Sequence, residues 1–410
     1  MNDFETYVSY KLNLDVDSKI VNTKVYQTLN TGYIILNYNK DILCFDDANH
    51  SYYRSTIFSF PDKKLLCFSP PKSVKNDVFI QKNPGLTEDH ILINEMVEGV
   101  MMNLFYDSRV KSWQVSTKNA IGGNYGYKPK GIPLDTSSYI DMFFDALRCT
   151  SNIKPNCERL NRNSVIELFP KQYSYTFVLQ HPENRIVLPI EESKLYLVAV
   201  YEISENRAIE IPTPVYEKWQ FLLNIQGIIH FPRRFNETDY DELIQKYSLN
   251  HSDYFNPGIM LKNMKTGERT KMMNKSYMHR LKYKQVNPSF HYHYLCFQRI
   301  GKTDDFLAHY PMYKNHFKHF KYEYLEFLNS VHKAYIQKYV EKSPSPISPK
   351  YLVHIDRIHK EVYIPSIASK QPKKIDKECV RHYFEKMEPG SLLFYLNYNN
   401  RKYMKTTSDL

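Results

Sequence analysis

Residues 93–124 read INEMVEGVMMNLFYDSRVKSWQVSTKNAIGGN, and this stretch decides the fold. Two apolar runs within it, GVMMNLFYD and KSWQVSTK, are separated by turn residues and read as strands. Six further runs of the same kind lie on either side: TGYIILNYN, KLLCFSP, YTFVLQ, RIVLPI, KLYLVAVYEI and PGIMLKN. Between them, 137–147 and 214–226 carry apolar residues at helical spacing. From Asp304 the period changes: Phe306, Tyr310, Phe317, Phe320, Tyr324, Phe327, Leu328, Val331 and Tyr335 recur at three- and four-residue steps, which predicts a helical domain. SPSPISP at 343–349 cannot continue a helix and marks a linker or turn. The expected fold class is α/β (α+β): a mixed unit over 1–300, a helical start of a C-terminal domain over 301–342, and a linker with a short mixed segment over 343–410.

The chain has 410 residues, with 55 Lys and Arg against 44 Asp and Glu, a net charge of +11 that favours a polyanionic partner. Only 12 glycines accompany 35 tyrosines and 23 phenylalanines, which disfavours a glycine-rich phosphate loop and supplies flat surfaces for stacking bases. The longest wholly apolar run is Leu195–Tyr201, far short of the roughly 20 residues that cross a bilayer. The first residues lack a basic stretch followed by an apolar one, so no secretory signal is expected. Cys44, Cys67, Cys149, Cys157, Cys296 and Cys379 are scattered without a C-x-x-C, which fits reduced thiols and a cytoplasmic location.

Glu95, Glu98 and Asp107 could pair as catalytic carboxylates, but strand-end carboxylates are usually solvated. His279, His291, His293, His309, His316 and His319 lack the fixed spacing of metal ligands, so no metal site is expected.

Taken in order, however, the segments resemble the covalent nucleotidyltransferases, most closely the phage-type ATP-dependent RNA ligases, whose members also occur in large DNA viruses. That family carries an E-K-x-D-G-S nucleophile motif, a downstream S-T-R/K-G strand, an F-E-L motif before P-x-N-R-I-V, an E-G-L/I/V-V motif and a basic K-x-K motif. The equivalents here are Glu95-Met96-Val97-Glu98-Gly99-Val100, Ser116-Thr117-Lys118-Asn119, Phe177-Val178-Leu179 with Pro182-Glu183-Asn184-Arg185, Pro257-Gly258-Ile259-Met260, and Lys271-Met272-Met273. Cys67-Phe68-Ser69-Pro70-Pro71-Lys72-Ser73 resembles a P-P-K-S strand end. The resemblance implies a nucleotidyltransferase domain of antiparallel sheets, followed by a mainly helical domain.

It also implies an inactive site. The family's lysine amine attacks the α-phosphate of ATP, and Met96 stands in its place, whose thioether forms no phosphoramidate. Val178 and Pro257 replace carboxylates, and Met273 replaces the second lysine of K-x-K. By the same resemblance, Met96, Glu98, Lys72, Lys118, Arg185, Tyr201 and Met260 are candidates for holding a nucleotide or RNA 5′ end, walled by the strands around Met96, 116–118, 195–201 and 257–260. Independently, residues 260–284 hold eight Lys and Arg against Glu268 alone. Interleaved with Tyr277, Tyr283, Phe290, Tyr292 and Tyr294, they suit a phosphate track along Lys262, Arg269, Lys271, Lys275, Arg280 and Lys282. The expectation is a pseudo-ligase without cofactor or metal that binds single-stranded RNA, a 5′ end or a cap-like nucleotide. It would act in viral transcript handling or translation, with viral or translation and transcription proteins as further partners, away from membranes and in the host cytoplasm. The alternatives are an active ligase using a displaced lysine (Lys72, Lys118 or Lys262) and a structural subunit of a larger complex.

Overall fold

Side chains alternate across a strand, so a run with one apolar set buries one face and frees the other. In the computed structural model, which describes residues 7–14, 16–27, 31–39, 41, 48–86, 90–122, 138–148, 162–249, 255–283, 290–368 and 372–398, this rule organises three sheets. Val100–Asp107, Tyr173–Gln180 and Lys194–Ser204 lie antiparallel in a seven-stranded sheet, with Ser112–Thr117 at one side and Arg207–Ile211 and Ser9–Lys11 at the other. One alternate set, Met102, Leu104, Tyr175, Phe177, Leu179, Leu195 and Leu197, forms the floor of the largest core. The helix Tyr139–Ala146 covers it, opened by a capping box between Ser138 and Asp141. Its Phe143 meets Phe177 edge-on at 5.8 Å.

A four-stranded sheet runs Arg234–Phe235, Ile91–Glu95, Gly258–Asn263, Arg269–Met273, and another runs Val21–Gln27, Gly32–Tyr38, Thr56–Phe60, Leu65–Cys67. Arg109 ties the last of these to the first sheet: it binds Asp107 and donates to the carbonyls of Phe60 and Gly32 at 3.1 and 3.0 Å.

Of the expected strands, RIVLPI does not form one. Residues 186–188 bend instead, because the amides of Val187 and Leu188 are donated to a carboxylate and Pro189 has none to give. The helix expected over 214–226 is two, Thr213–Tyr216 and Gln220–Asn224, broken where Trp219 takes extended backbone and packs its ring 4.9 Å from Tyr173. Val21–Gln27 escapes sequence reading because six of its seven residues are at least partly exposed.

The chain divides into two compact units, Met1–Lys128 with Ile132–Lys284, and Gln285–Leu410 with Pro129–Gly131. In the second, the helix Lys314–Tyr335 buries Phe317, Tyr324, Phe327, Leu328, Val331 and Tyr335, the stripe expected from sequence. SPSPISP interrupts the helices as expected, and Pro349–Ile358 starts a new one at its end. Beyond it, where a mixed segment was expected, the described residues form helices only: Ile364–Ala368, Lys377–Glu385 and Pro389–Leu396. Their apolar residues pack at helical steps, Val380 with Phe384, rather than in alternation. No helix among the described residues is long and apolar enough to cross a membrane.

Candidate functional site

Register places the candidate residues. Met260 of Gly258–Asn263 sits between Asn94 and Lys271, and Lys262 sits between Leu92 and Arg269. Gly258 pairs with Met273 on one side, and its carbonyl accepts from the Met96 amide at 2.9 Å on the other. Leu92, Asn94, Met96, Met260, Lys262, Arg269, Lys271 and Met273 therefore share one face, while Ile93, Ile259, Leu261 and Met272 fill a core on the other. Only glycine serves at 258: φ is +127°, and a Cβ would lie 2.1 Å from the Met272 carbonyl oxygen.

That face forms one wall of a cavity of about 390 Å³. The seven-stranded sheet adds Met101, Thr176, Val178, Ala199 and Tyr201 to the lining, from the face whose Ala199 and Tyr201 also pack in a core with the third sheet. Arg54, Pro70 and Pro71 close one side, and Tyr277 and Leu281, one turn apart on the helix Lys275–Tyr283, add to the lining.

The cavity is cationic. Lys262 pairs with the buried Glu210, whose second oxygen accepts from Tyr10 at 3.2 Å. Arg54, Arg269 and Lys271 have no carboxylate within ion-pair distance among the described residues. Arg269 donates to the carbonyls of Pro71 and Pro70 at 2.8 and 3.2 Å. Burial first, and then the Arg269 guanidinium, lowers the Arg54 pKa to about 10. Lys271 is likewise lowered by dehydration, then by Arg54 and Arg269, although its side chain still reaches solvent. Three like charges crowded in one recess are relieved by an anion. Two polar atoms without protein partners, Tyr201 Oη and Asn94 Oδ1, also belong to residues of this lining.

The carboxylates are all engaged. Glu95 binds Arg233 at 2.7 Å. Glu98, 4% exposed, accepts the amides of Val187 and Leu188 at 3.0 and 2.9 Å. With Glu210 taken by Lys262, the donor set does not fit a divalent cation. No group of three His, Cys, Asp or Glu that could hold a metal occurs among the described residues.

Met96, Glu98, Tyr201, Met260 and Val178 thus meet at one cavity, with Lys262, Arg269 and Lys271 from the expected phosphate track. Pro257 instead lines a second cavity of about 500 Å³, which shares the wall Glu95–Glu98. Lys72, Lys118 and Arg185 do not line the first. Lys118 lies over the Tyr38 ring at 4.4 Å and donates to the Tyr38 hydroxyl at 3.3 Å. Lys72 lies beside the Ser73 carbonyl at 3.4 Å. Lys275, Arg280 and Lys282 are on the helix that brings Tyr277 and Leu281 to the cavity, but do not line it.

The aromatics of the basic stretch fall in two units. Tyr277 belongs to the first unit, while Tyr294 is core of the second, edge-on to Phe317 at 5.5 Å. Lys284 and the side chains of Tyr283 and Phe290 lie outside the described residues, as do Cys44, Cys149 and Cys157. Sequence reasoning missed Arg54 and Glu210. Glu210 is found by strand pairing with Tyr201 and Arg54 by the third sheet, and neither has a local signature.

No protein-family model matches the chain, and no curated protein does. Among solved structures it is similar to an RNA ligase of Naegleria gruberi. A lysine-to-alanine variant of that ligase without ligand aligns at 10% identity and TM-score 0.37, and a glutamate-to-alanine variant with ATP and Mn at 13% and 0.36. The form with PPi aligns at 12% and 0.35. Each alignment covers 52% of this chain and 58% of the ligase, so the chain spans less than two thirds of the structures it matches.

Proposed function

We propose that this chain is a nucleotidyltransferase-like protein that binds RNA without joining it. It holds the 5′-terminal nucleotide of a transcript, or a cap-like nucleotide, in the Met96 cavity. The observation that carries the reading is that Arg54, Arg269 and Lys271, without carboxylate partners among the described residues, line one recess with Met96, the residue that the resemblance sets at the family's nucleophile position. The guanidiniums and the ammonium would take the phosphates, with Arg planar and bidentate where Lys is a point charge. Met96, Met101, Val178 and Met260 would pack against the base, soft side chains that suit a flat ring. Glu98 would hold the 186–188 segment in place rather than touch ribose.

The test is calorimetry with a nucleoside 5′-monophosphate, a cap analogue and the 5′-hydroxyl nucleoside. The phosphorylated ligands should bind, and Arg54→Ala or Lys271→Ala should weaken them tenfold or more. Equal binding of the 5′-hydroxyl nucleoside, or no effect of either substitution, overturns the reading. Incubation with labelled ATP or GTP and Mg²⁺ or Mn²⁺ should leave no covalent adduct, and Met96→Lys alone should not create one, since Val178 and Pro257 still lack carboxylates.

One observation favours the ligase alternative. Lys271 is a cavity amine with a lowered pKa, a property that activates lysine as a nucleophile. It stands two strands from Met96, about 10 Å across the sheet at normal strand spacing. A labelled adduct abolished by Lys271→Ala would establish it in place of the binding reading.

A further inference from the structure

The second unit carries most of the chain's charge: residues 285–410 hold 20 Lys and Arg against 12 Asp and Glu, a net +8 of the chain's +11. It also contains a cleft of about 670 Å³ built on two π-helical turns, Ile336–Val340 and His359–Tyr363. Such turns are rare and concentrate at functional sites, because the widened coil re-aims side chains at an energetic cost. Here they build a column of rings. His359 is stacked between Tyr339, at 3.8 Å and 7° between planes, and Tyr363, at 5.0 Å and 25°. The column is held from two sides: Tyr335 Oη and His359 Nδ1 share a hydrogen bond of 3.0 Å, and Tyr339 donates to Asp356 at 2.8 Å.

We infer that this cleft is a base-stacking site for single-stranded RNA, separate from the Met96 cavity. Flat faces presented by a pinned column match the face of an unpaired base, whatever its identity. The cleft edge supplies exposed lysines for the adjoining phosphates, Lys374 and Lys377. Two carboxylates lie beside them: Asp376 accepts the Cys379 amide at 2.8 Å as a helix cap, and Glu378 pairs with Arg381, so three cations, Lys374, Lys377 and Arg381, face two carboxylates there. Stacking on an unpaired base also requires no 5′ end, so this site and the proposed end-binding cavity are separable by substrate.

The probe is a circular single-stranded RNA of about 20 nucleotides, compared with a duplex of the same sequence, by fluorescence anisotropy on the full chain. The circle should bind and the duplex should bind at least tenfold more weakly. Tyr363→Leu, which keeps apolar bulk and removes the ring, should weaken the circle about tenfold, in the range found when one stacked base is lost. Tyr363→Phe should restore binding, and the double change Lys374→Glu with Lys377→Glu should weaken it in a salt-dependent way. Undiminished binding by Tyr363→Leu and by the double lysine variant overturns the inference and points to an apolar peptide as the occupant. Tight binding of a 5′-phosphorylated linear RNA with none of the circle overturns it while sparing the end-binding reading. Failure of the mononucleotide titration with retained circle binding does the reverse.

Discussion

Glu98 offers the sharpest perturbation of the first unit. Its carboxylate is buried, and it accepts two backbone amides, from Val187 at 3.0 Å and Leu188 at 2.9 Å, that have no strand partner. Hydrogen bonds to charged groups contribute about 1.5–3 kcal/mol each, so Glu98→Ala should cost about 3–6 kcal/mol. Glu98→Gln keeps one accepting oxygen and loses the charge, and should cost roughly half as much. Both tryptophans of the chain, Trp113 and Trp219, pack on the first unit's core, so tryptophan fluorescence during urea unfolding follows that unit. With a slope near 3 kcal/mol per molar, the midpoint should fall by about 1–2 M for alanine. An unchanged midpoint, or equal shifts for alanine and glutamine, would refute the assignment of Glu98 as a structural clamp. Intact stability with lost nucleotide binding would return it to the ligand.

The second unit should be acid-sensitive. His354, wholly buried, and His291 are both held near a pKa of about 4, chiefly by burial and then by Arg357 and His319 respectively. Between roughly pH 6.5 and 4 the unfolded chain therefore binds protons that the folded chain refuses, and stability falls as pH falls, by about 3 kcal/mol at most per histidine. Urea titrations at pH 7 and pH 5, followed by far-ultraviolet circular dichroism, should show the loss, and His354→Phe should reduce it; a pH-independent midpoint would contradict the burial argument. Gly258→Ala should lower the urea midpoint of the first unit, read by tryptophan fluorescence, more than Gly301→Ala lowers that of the second, read by far-ultraviolet circular dichroism, because a Cβ at 258 strikes the Met272 carbonyl while 301 has nothing within 4 Å, although both have positive φ. Equal shifts would assign the whole effect to φ rather than to close approach.

Legibility followed the range of the interactions. Strands with a buried set in every second residue, such as Tyr173–Gln180, and the apolar stripe of Lys314–Tyr335 were readable, because their cause is local periodicity. Residues 185–190 read as a strand from apolar content alone, and the reason they are not lies 89 positions upstream, in the carboxylate of Glu98. Met96, Val178, Met260 and Lys271, named from ordered motifs, and Tyr201, named from its strand, line one cavity. Lys118, named in the same way, follows Ser112–Thr117 and lies against the Tyr38 ring rather than in that lining. Arg54 comes from YYRS, a stretch with no pattern to announce it, and enters the cavity only through tertiary packing.

The three-stranded face behind Met96 also works as a ledger with two independent columns. Odd positions of Gly258–Asn263 answer to the core, even ones to the cavity, and no side chain answers to both. A chemist could therefore rewrite Asn94, Met96, Met260, Lys271 and Met273 one at a time, trading cation for thioether or back, while Ile93, Ile259, Leu261 and Met272 keep the unit folded. The same alternation forbids a change of length: a single residue inserted into Gly258–Asn263 would exchange the columns, sending lysine into the core and isoleucine into the recess.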